Sequence, residues 1–528
     1  MTRYRSTRGD VRNLSFEETV LTGLASDRGL FVPEEGSFPS LPPNALKEWA
    51  ALSYQDLAVE VMSLFIDPSE IPRKDLEVLV AKAYSFKDSN YRHEDVAPVV
   101  KVKDNLFVLE LFHGPTFAFK DIALQFLGHL FEYFLERKNK KASNGEVHHV
   151  TVVGATSGDT GSAAIYGLRG KKNVDVFILY PHGRVSAIQE QQMTSVLDES
   201  VHNLAVKGTF DDCQAIVKDV FGDAAFKKKY NLGAVNSINW ARILAQIVYY
   251  FYAYFRVPTQ DKVAFSVPTG NFGDILAGFY AKRLGLPIDK LIVATNDNDI
   301  LHRFFSTGKY HRTGVNQTSS PSMDIGVSSN FERYLFALCG DDPSVLKGWM
   351  TTFEETGKLT VQGPLLQKAQ SEMASWAVHQ PEVLSIIKQY HLRHDYVFDP
   401  HTAIGVGAAD HYLESTPQAT VVVLATAHYG KFMPTVEAAL QEAAKEVKQH
   451  PLLKALETLP RRSHVIQNDA LVVKTYVETH VTKAAETDGF SLLRCPFGVA
   501  SRLLPDSLLL RGSLVVAAAA IAVFALKK

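Results

Sequence analysis

Cysteine is scarce in this chain. Its three residues, Cys213, Cys339 and Cys495, lie far apart and form no C-x-x-C pair. That spacing argues against a disulfide framework or a cysteine-built zinc site and fits a reducing compartment, the cytoplasm. Charge of one sign is scarce too: the formal net charge of -2 over 528 residues gives no electrostatic case for nucleic acid or an anionic lipid surface. The opening M-T-R-Y-R-S-T-R-G-D lacks the apolar segment of a secretory signal, and Asp10 and Glu17 follow too soon for a transit peptide. Internal repeats, low-complexity linkers and sustained heptads are absent. Long hydrophobic runs are missing as well, except that 514–526 is uncharged and apolar. As a helix that run would span about 20 Å, short of the roughly 30 Å bilayer core. A docked terminal helix or an altered terminus is expected there, and no membrane anchor.

What is present describes a soluble globular protein of several domains, with 46% hydrophobic and 21% charged residues. Residues 44–66 and 70–83 read as helices within a mostly helical N-terminal domain, 1–95. Then the texture changes. Short Val/Ile/Leu runs at 106–112, 150–153, 174–180, 204–206, 262–267, 290–294 and 421–425 alternate with amphipathic stretches. This is the pattern of an α/β fold whose parallel sheet is covered on both faces, with ligands beyond the carboxyl ends of the strands. Residues 340–395 and 436–460 read as mostly helical and carry no chemical motif.

Several stretches carry chemistry. H-G-P-T-F-A-F-K-D, 113–121, sets Lys120 beside aromatic residues where a glycine-proline turn yields to a helical pattern. Burial there would lower the lysine's pKa and expose its nucleophile. P-T-G-N-F-G-D, 268–274, lies between a strand and a helix. Gly270 and Gly273 let successive amides turn inward at a helix N-terminus, and Asn271 can reinforce the turn or reach a ligand. Lacking both G-K-[ST] and G-x-G-x-x-G, the loop suits a compact phosphate; a purely structural turn is the alternative. A-T-S-G-D-T-G, 155–161, repeats this context with the hydroxyls of Thr156, Ser157 and Thr160, the freedom of Gly158, and Asp159 as a possible cap. In N-S-I-N-W-A-R, 236–242, Asn239 and Arg242 share a helix face and could meet an anion, or could be a cap and a surface arginine. His401 in D-P-H-T-A-I-G and His428 in T-A-H-Y-G-K-F have no H-E-x-x-H partner, so no metal is expected. Thr426 follows a buried strand, where a lone hydroxyl needs a polar partner. The sum is a ligand with a phosphate handle and a second anionic group near the lysine.

In this order H-G-P-T-F-A-F-K-D, G-A-T-S-G-D-T-G, N-S-I-N-W-A-R-I-L-A-Q, P-T-G-N-F-G-D-I-L-A-G, D-P-H-T-A and L-A-T-A-H-Y-G-K-F resemble the threonine synthase family in its longer fungal and bacterial form. G-L-A-S-D-R-G-L-F-V-P, 23–33, resembles its N-terminal signature. The resemblance implies the pyridoxal-phosphate fold type II. A large cofactor domain, 96–149 and 236–465, would hold a smaller inserted αβα domain, 150–235, that closes over substrate, and 466–528 would be an extension of uncertain packing. It implies pyridoxal 5'-phosphate as cofactor. Lys120 would form the internal aldimine and shuttle protons, Gly270, Asn271, Phe272, Gly273 and Asp274 would surround the phosphate, and Thr426 would face the pyridine nitrogen. Thr156, Ser157, Gly158, Asp159 and Thr160, with Asn239, Arg242 and Lys431, would receive O-phospho-L-homoserine, which reacts with water to give L-threonine and phosphate. A cytoplasmic monomer is implied. The alternatives are a serine or threonine dehydratase, releasing an oxoacid and ammonia, and a catalytically inactive binding protein.

Overall fold

The computed structural model describes residues 2–86, 91–143, 147–258 and 263–482. The apolar run at 514–526 and Cys495 lie outside them. Contacts join the described chain up to Thr482 into one unit.

Among the described residues, fifteen strands are named β1 to β15 in chain order. β1 (Tyr4–Ser6) and β2 (Phe31–Pro33) pair antiparallel near the N-terminus. β3 (Val99–Lys103) and β4 (Leu106–Glu110) form an antiparallel edge of the large sheet. β5 (Val150–Ala155), β6 (Val174–Pro181), β7 (Val201–Val206) and β8 (Leu232–Gly233) belong to a second sheet, and β9 (Val263–Pro268) and β10 (Ile288–Thr295) return to the first. β11 (Lys309–His311) pairs with β12 (Lys358–Thr360) in a separate two-stranded sheet. β13 (Met373–Ala377), β14 (Thr420–Ala425) and β15 (His464–Ile466) complete the set. The large sheet has the order β13-β10-β9-β14-β4-β3, and the second β15-β7-β6-β5-β8. Every pair in the second sheet, and every pair but β3 with β4 in the first, is parallel. The β-branched runs explain this: V-V-V at 421–423 is buried along its whole length, as strands covered by helices on both faces must be.

The structure refines four expectations. The helix read over 44–66 is two, Ala45–Trp49 and Tyr54–Ser63, because Ser53 caps a new start by accepting from the Asp56 N–H. The N-terminal region, though mostly helical, also holds the β1–β2 pair. Its Tyr4 packs 5.7 Å from the Trp240 ring and donates to the Phe65 carbonyl at 2.7 Å. The interval 340–395 contains β12 and β13 as well as helices; β13 follows directly on the helix Pro364–Glu372 without a glycine or proline to mark it. Near the C-terminus, β15 pairs with β7, and Val473 and Val477 of the helix Ala470–His480 pack with Ile216 and Val220. The interval read as an extension from 466 therefore begins inside the second sheet's layer.

Two buried helices join the layers. The helix Lys120–Lys141 crosses the helix Asp159–Leu168 where glycines meet. A Cβ on Gly128 would lie 1.9 Å from the Gly167 carbonyl oxygen, and one on Gly167 would lie 2.4 Å from that of Leu124. Each glycine follows its helix's first residue by about two turns. The backbone contact thus sets the distance between the helix starts, where Lys120 and Asp159 stand.

Candidate active site

β4, β9, β10 and β14 end on one edge of the large sheet, and the lysine segment is stitched to the residues beyond that edge. Ala118 bridges Ala427, the Phe119 N–H donates to the Thr426 carbonyl at 2.8 Å, and the His428 N–H donates to that of Phe117 at 3.1 Å. The turn before Lys120 closes over Asp121, whose carboxylate accepts the Thr116 N–H at 2.8 Å and the Thr116 hydroxyl at 2.7 Å. A Cβ on Gly114 would come within 2.5 Å of Asp121 Cβ, so the turn needs that glycine. Burial pushes the Asp121 carboxyl up to about 6. Arg92 fastens the turn from outside, donating to the Pro115 carbonyl at 2.9 Å with its guanidinium 3.7 Å over the Phe117 ring.

Lys120 is the first residue of its helix, only 8% exposed. Its Nζ donates to Ser322 Oγ at 3.2 Å and lies 3.8 Å from Asp159 Oδ2. Burial lowers its pKa to about 8; Asp159 opposes the shift, while Lys431 and Arg242 add to it. Asp159 is buried too, which alone would raise its pKa. The charges of Lys431 and Lys120 outweigh burial and hold it well below the carboxylate range. Lys431 Nζ sits 2.6 Å from Asp159 Oδ1 and donates to the Thr116 carbonyl at 2.8 Å, and Gln189 Nε2 donates to the same Oδ1 at 2.8 Å. Arg242 donates to the Val235 carbonyl at 3.0 Å, its Nε is buried without a partner, and burial lowers its pKa to about 10. It has no carboxylate partner among the described residues. Two buried cations, Lys120 and Lys431, therefore face the Asp159 carboxylate, Arg242 lies near enough to lower the Lys120 pKa, and the Asp121 carboxylate is turned to Thr116.

The two glycine loops border this cluster. At 270–273 the backbone N–H groups donate to no acceptor among the described residues. A Cβ on Gly270 would lie 2.8 Å from the Ser322 carbonyl oxygen, a close approach only glycine permits. Phe272 holds a left-handed φ of 62°, kept there by packing against Phe331 at 5.2 Å and Phe305 at 6.4 Å. Asn271 gives its carbonyl to the Asn330 N–H and Nδ2, both at 3.1 Å. Gly273 opens the helix Gly273–Leu284, facing Gln246, whose buried Oε1 lacks a partner. At 156–160 the hydroxyls of Ser157 and Thr160 and the N–H groups of Ser157, Asp159 and Thr160 have no partner among the described residues. Gly158 has φ 145°, and a Cβ there would strike Gln189 Oε1 at 2.3 Å. The Thr426 hydroxyl, just past β14, is also without a partner among the described residues, in a side chain 6% exposed.

Three sequence candidates are not brought to this gap. Asn239 is fully buried as the cap of the helix Trp240–Tyr254: its Oδ1 accepts from the Ala241 N–H at 3.1 Å and its Nδ2 donates to the Val20 carbonyl at 2.9 Å. The Asp274 carboxyl turns away to the hydroxyls of Tyr249 at 2.5 Å and Tyr250 at 3.0 Å, and burial raises its pKa to about 7. The Thr156 hydroxyl oxygen accepts the N–H groups of Gly158 at 2.9 Å and Gly161 at 2.8 Å, so it shapes the loop. Ser322, Gln189 and Gln246 are near the gap without a local signal of a site; only Gln246 stands in a motif, N-S-I-N-W-A-R-I-L-A-Q, four residues after Arg242 on the same helix face. His428, pushed down to about 3 by burial, caps the turn that carries Lys431. Among the described residues, no three His, Cys, Asp or Glu side chains are grouped to hold a metal, and no helix is long and apolar enough to cross a membrane.

A buried lysine of lowered pKa, a phosphate-sized cup of free amides and a parallel α/β scaffold define a pyridoxal-phosphate-dependent enzyme, and residues 92–427 match that family. The flanks match two narrower families, threonine synthase N terminus over 3–84 and threonine synthase C-terminal over 402–477. The chain belongs to the threonine synthase family, and so to the lyases. Threonine synthase of Schizosaccharomyces pombe is 52% identical over 463 residues, 83% of this chain and 89% of that one. The crystal structure of pyridoxal-phosphate-bound threonine synthase from Brucella melitensis matches with TM-score 0.85 and 43% identity, over 91% of this chain and all of that one. That of threonine synthase from yeast matches with TM-score 0.85 and 46% identity, over 91% and 98%.

Proposed function

We propose that this chain converts O-phospho-L-homoserine and water into L-threonine and phosphate, with Lys120 as the cofactor's covalent anchor and the proton carrier. The observation that carries this reading is the charge imbalance. Lys120 and Lys431 are buried against a single carboxylate, Asp159, the buried Arg242 guanidinium has no carboxylate partner among the described residues, and Asp121 is turned to Thr116. Buried cations are stable only when matched, so the site is built for multiply charged anions such as two phosphates and a carboxylate.

The residues fit pyridoxal phosphate. The free amides of Gly270 to Gly273, at a helix N-terminus, would hold its phosphate. The Thr426 hydroxyl would meet its ring nitrogen; a neutral hydroxyl, unlike a carboxylate, leaves that nitrogen unprotonated. When bound, the cofactor supplies an electron-accepting ring that stabilises negative charge on substrate carbon.

The protein's share is proton control and positioning. With a pKa of about 8, roughly one Lys120 in ten is a neutral amine at pH 7, against a few in ten thousand for an ordinary lysine. Lys120 would take protons from Cα and Cβ and return one at Cγ after the phosphate leaves; water then adds its hydroxyl at Cβ, a proton returns to Cα, and the proton left over goes to the released phosphate. The hydroxyls and free amides of Ser157 and Thr160 would receive the substrate phosphate or carboxylate, with Arg242. Lys431 neutralises Asp159 and so keeps its charge from repelling the anion. The same reading takes the layer at 150–235 as the part that closes over substrate, and the protein as a cytoplasmic monomer.

The test is to incubate purified holoenzyme with O-phospho-L-homoserine and measure inorganic phosphate and threonine together. Equal amounts of both are expected. Phosphate accompanied by an oxoacid and ammonia would mean a different lyase, and no phosphate release would end the proposal.

A further inference from the structure

The D-P-H-T-A stretch has no part in the reading above, yet it reaches Lys120 through one intermediary. Asp399 caps the helix Pro400–Ser415, its Oδ1 accepting from the His401 N–H at 2.9 Å and from His401 Nδ1–H at 2.8 Å. With Nδ1 as donor, Nε2 is left to accept, and it takes the backbone N–H of Ser322 at 3.3 Å. The imidazole is 3% exposed and packs edge-on to Phe432 at 4.8 Å, so its orientation is fixed. Ser322 lies on a short turn, Pro321–Met323, pressed against the glycine of the phosphate loop. Its Oγ is the sole hydrogen-bond partner of Lys120 Nζ among the described residues, since Asp159 Oδ2 stands off at 3.8 Å.

We propose that Ser322 is a positioning residue for Lys120, holding the amine whenever it is not bonded to the cofactor, and that the Asp399–His401 pair fixes Ser322 in turn. This rests on the reading of Lys120 as proton carrier. A lysine has four rotatable side-chain bonds, and Asp159, which is drawn to Lys431, leaves its amine no short ionic partner. One hydrogen bond from a rigid turn is enough to keep the lone pair directed at the substrate carbons. The phosphate loop, the serine turn and the histidine form consecutive layers, so the cofactor's seat and the resting place of the amine share one reference frame.

The experiment follows exchange of the L-threonine Cα proton with deuterium oxide by proton NMR, using holoenzyme. Ser322→Ala should slow exchange on the order of tenfold to a hundredfold, with cofactor content unchanged and KM for O-phospho-L-homoserine within about twofold. Ser322→Thr, which keeps the hydroxyl, should recover most of the rate, and His401→Asn should show a smaller loss of the same kind. In crystals of the apo-protein, Lys120 should be ordered in wild type and Ser322→Thr but spread over several rotamers in Ser322→Ala. Wild-type exchange in Ser322→Ala, an equally ordered Lys120 there, or slowing that merely tracks cofactor loss would each overturn the proposal. Lys120→Ala separates the two levels. If it still exchanges the proton, the underlying reading of Lys120 fails; if it is silent while Ser322→Ala behaves as wild type, only this inference fails.

Discussion

The two glycine loops are built alike and work in opposite ways. Both follow a parallel strand and open a helix. At 270–273 the backbone is left open, and the side chains are committed to structure: Phe272 to an aromatic cluster and Asp274 to two tyrosines. At 156–160 part of the backbone is taken up, because the Thr156 hydroxyl accepts the Gly158 N–H, and that of Gly161 just beyond, and the Ser157 and Thr160 hydroxyls are left open. A grip made of amides suits a group that stays, since it depends on chain geometry and little on side-chain identity. A grip made of hydroxyls can discriminate, and can release what it holds. The first loop therefore reads as a cofactor seat and the second as a substrate seat, with Lys120 between them.

The largest expected effect comes from the residue both loops share. Lys120→Ala should lower turnover by about three orders of magnitude or more, as loss of a covalent anchor and proton carrier requires; steady-state phosphate release measures it. The apo-protein should capture pyridoxal phosphate at a rate that rises with pH below about 8, the pKa of Lys120, and then levels off. The sign follows from the neutral amine being the attacking form. A rate still climbing past pH 10 would mean an ordinary, solvated lysine.

Substitutions that break one loop at a time sharpen the contrast. Gly270→Ala drives a Cβ to 2.8 Å from the Ser322 carbonyl oxygen. Such overpacking costs about 1–3 kcal/mol, which should weaken cofactor binding roughly tenfold to a hundredfold in an equilibrium titration. Ser157→Ala and Thr160→Ala should keep full cofactor occupancy and lower kcat/KM by about one to two decades each, the worth of a hydrogen bond to a charged group. If the serine and threonine variants lost cofactor while the glycine variant kept it, the assignment of the loops would be reversed.

The sequence made the interior of both sheets legible, because β-branched runs bounded by glycine leave few alternatives. It hid the edges. β3 is V-V-K-V-K, β13 is M-A-S-W-A running straight out of a helix, and β15 is only H-V-I. Edge strands are short, half-exposed and partly polar, so the periodic signal fades where the sheet ends. The site divides in the same way. Lys120 and the free hydroxyls stand in local patterns of glycine, serine and threonine. Ser322, in the serine-rich T-S-S-P-S-M-D, lacks the setting of strand, loop and helix, and Gln189 lies inside a helix; both reach the gap only through tertiary packing. Asp274 shows the difficulty, since an acidic residue in the first turn of a helix looks the same in sequence whether it faces a ligand or, as here, a pair of tyrosines.

Asn239 is where the comparison should leave activity almost untouched. An asparagine before a buried helix can serve a ligand or cap the helix, and local sequence does not distinguish the two. Burial does: the side chain is inaccessible, and both its ends are used, Oδ1 by the Ala241 N–H and Nδ2 by the Val20 carbonyl. Asn239→Ala removes the cap, at about 1 kcal/mol, and leaves the Val20 carbonyl without this donor, at about 1–3 kcal/mol more. Asn239→Ser restores a capping oxygen but not the donor, so its loss should be intermediate. Urea unfolding midpoints should fall in the order wild type, Ser, Ala, while the folded fraction of each variant keeps a kcat/KM within about twofold of wild type. A tenfold loss of kcat/KM in folded Asn239→Ser would put the side chain back in the substrate site and extend the hydroxyl grip beyond 156–160 to the start of the Trp240 helix.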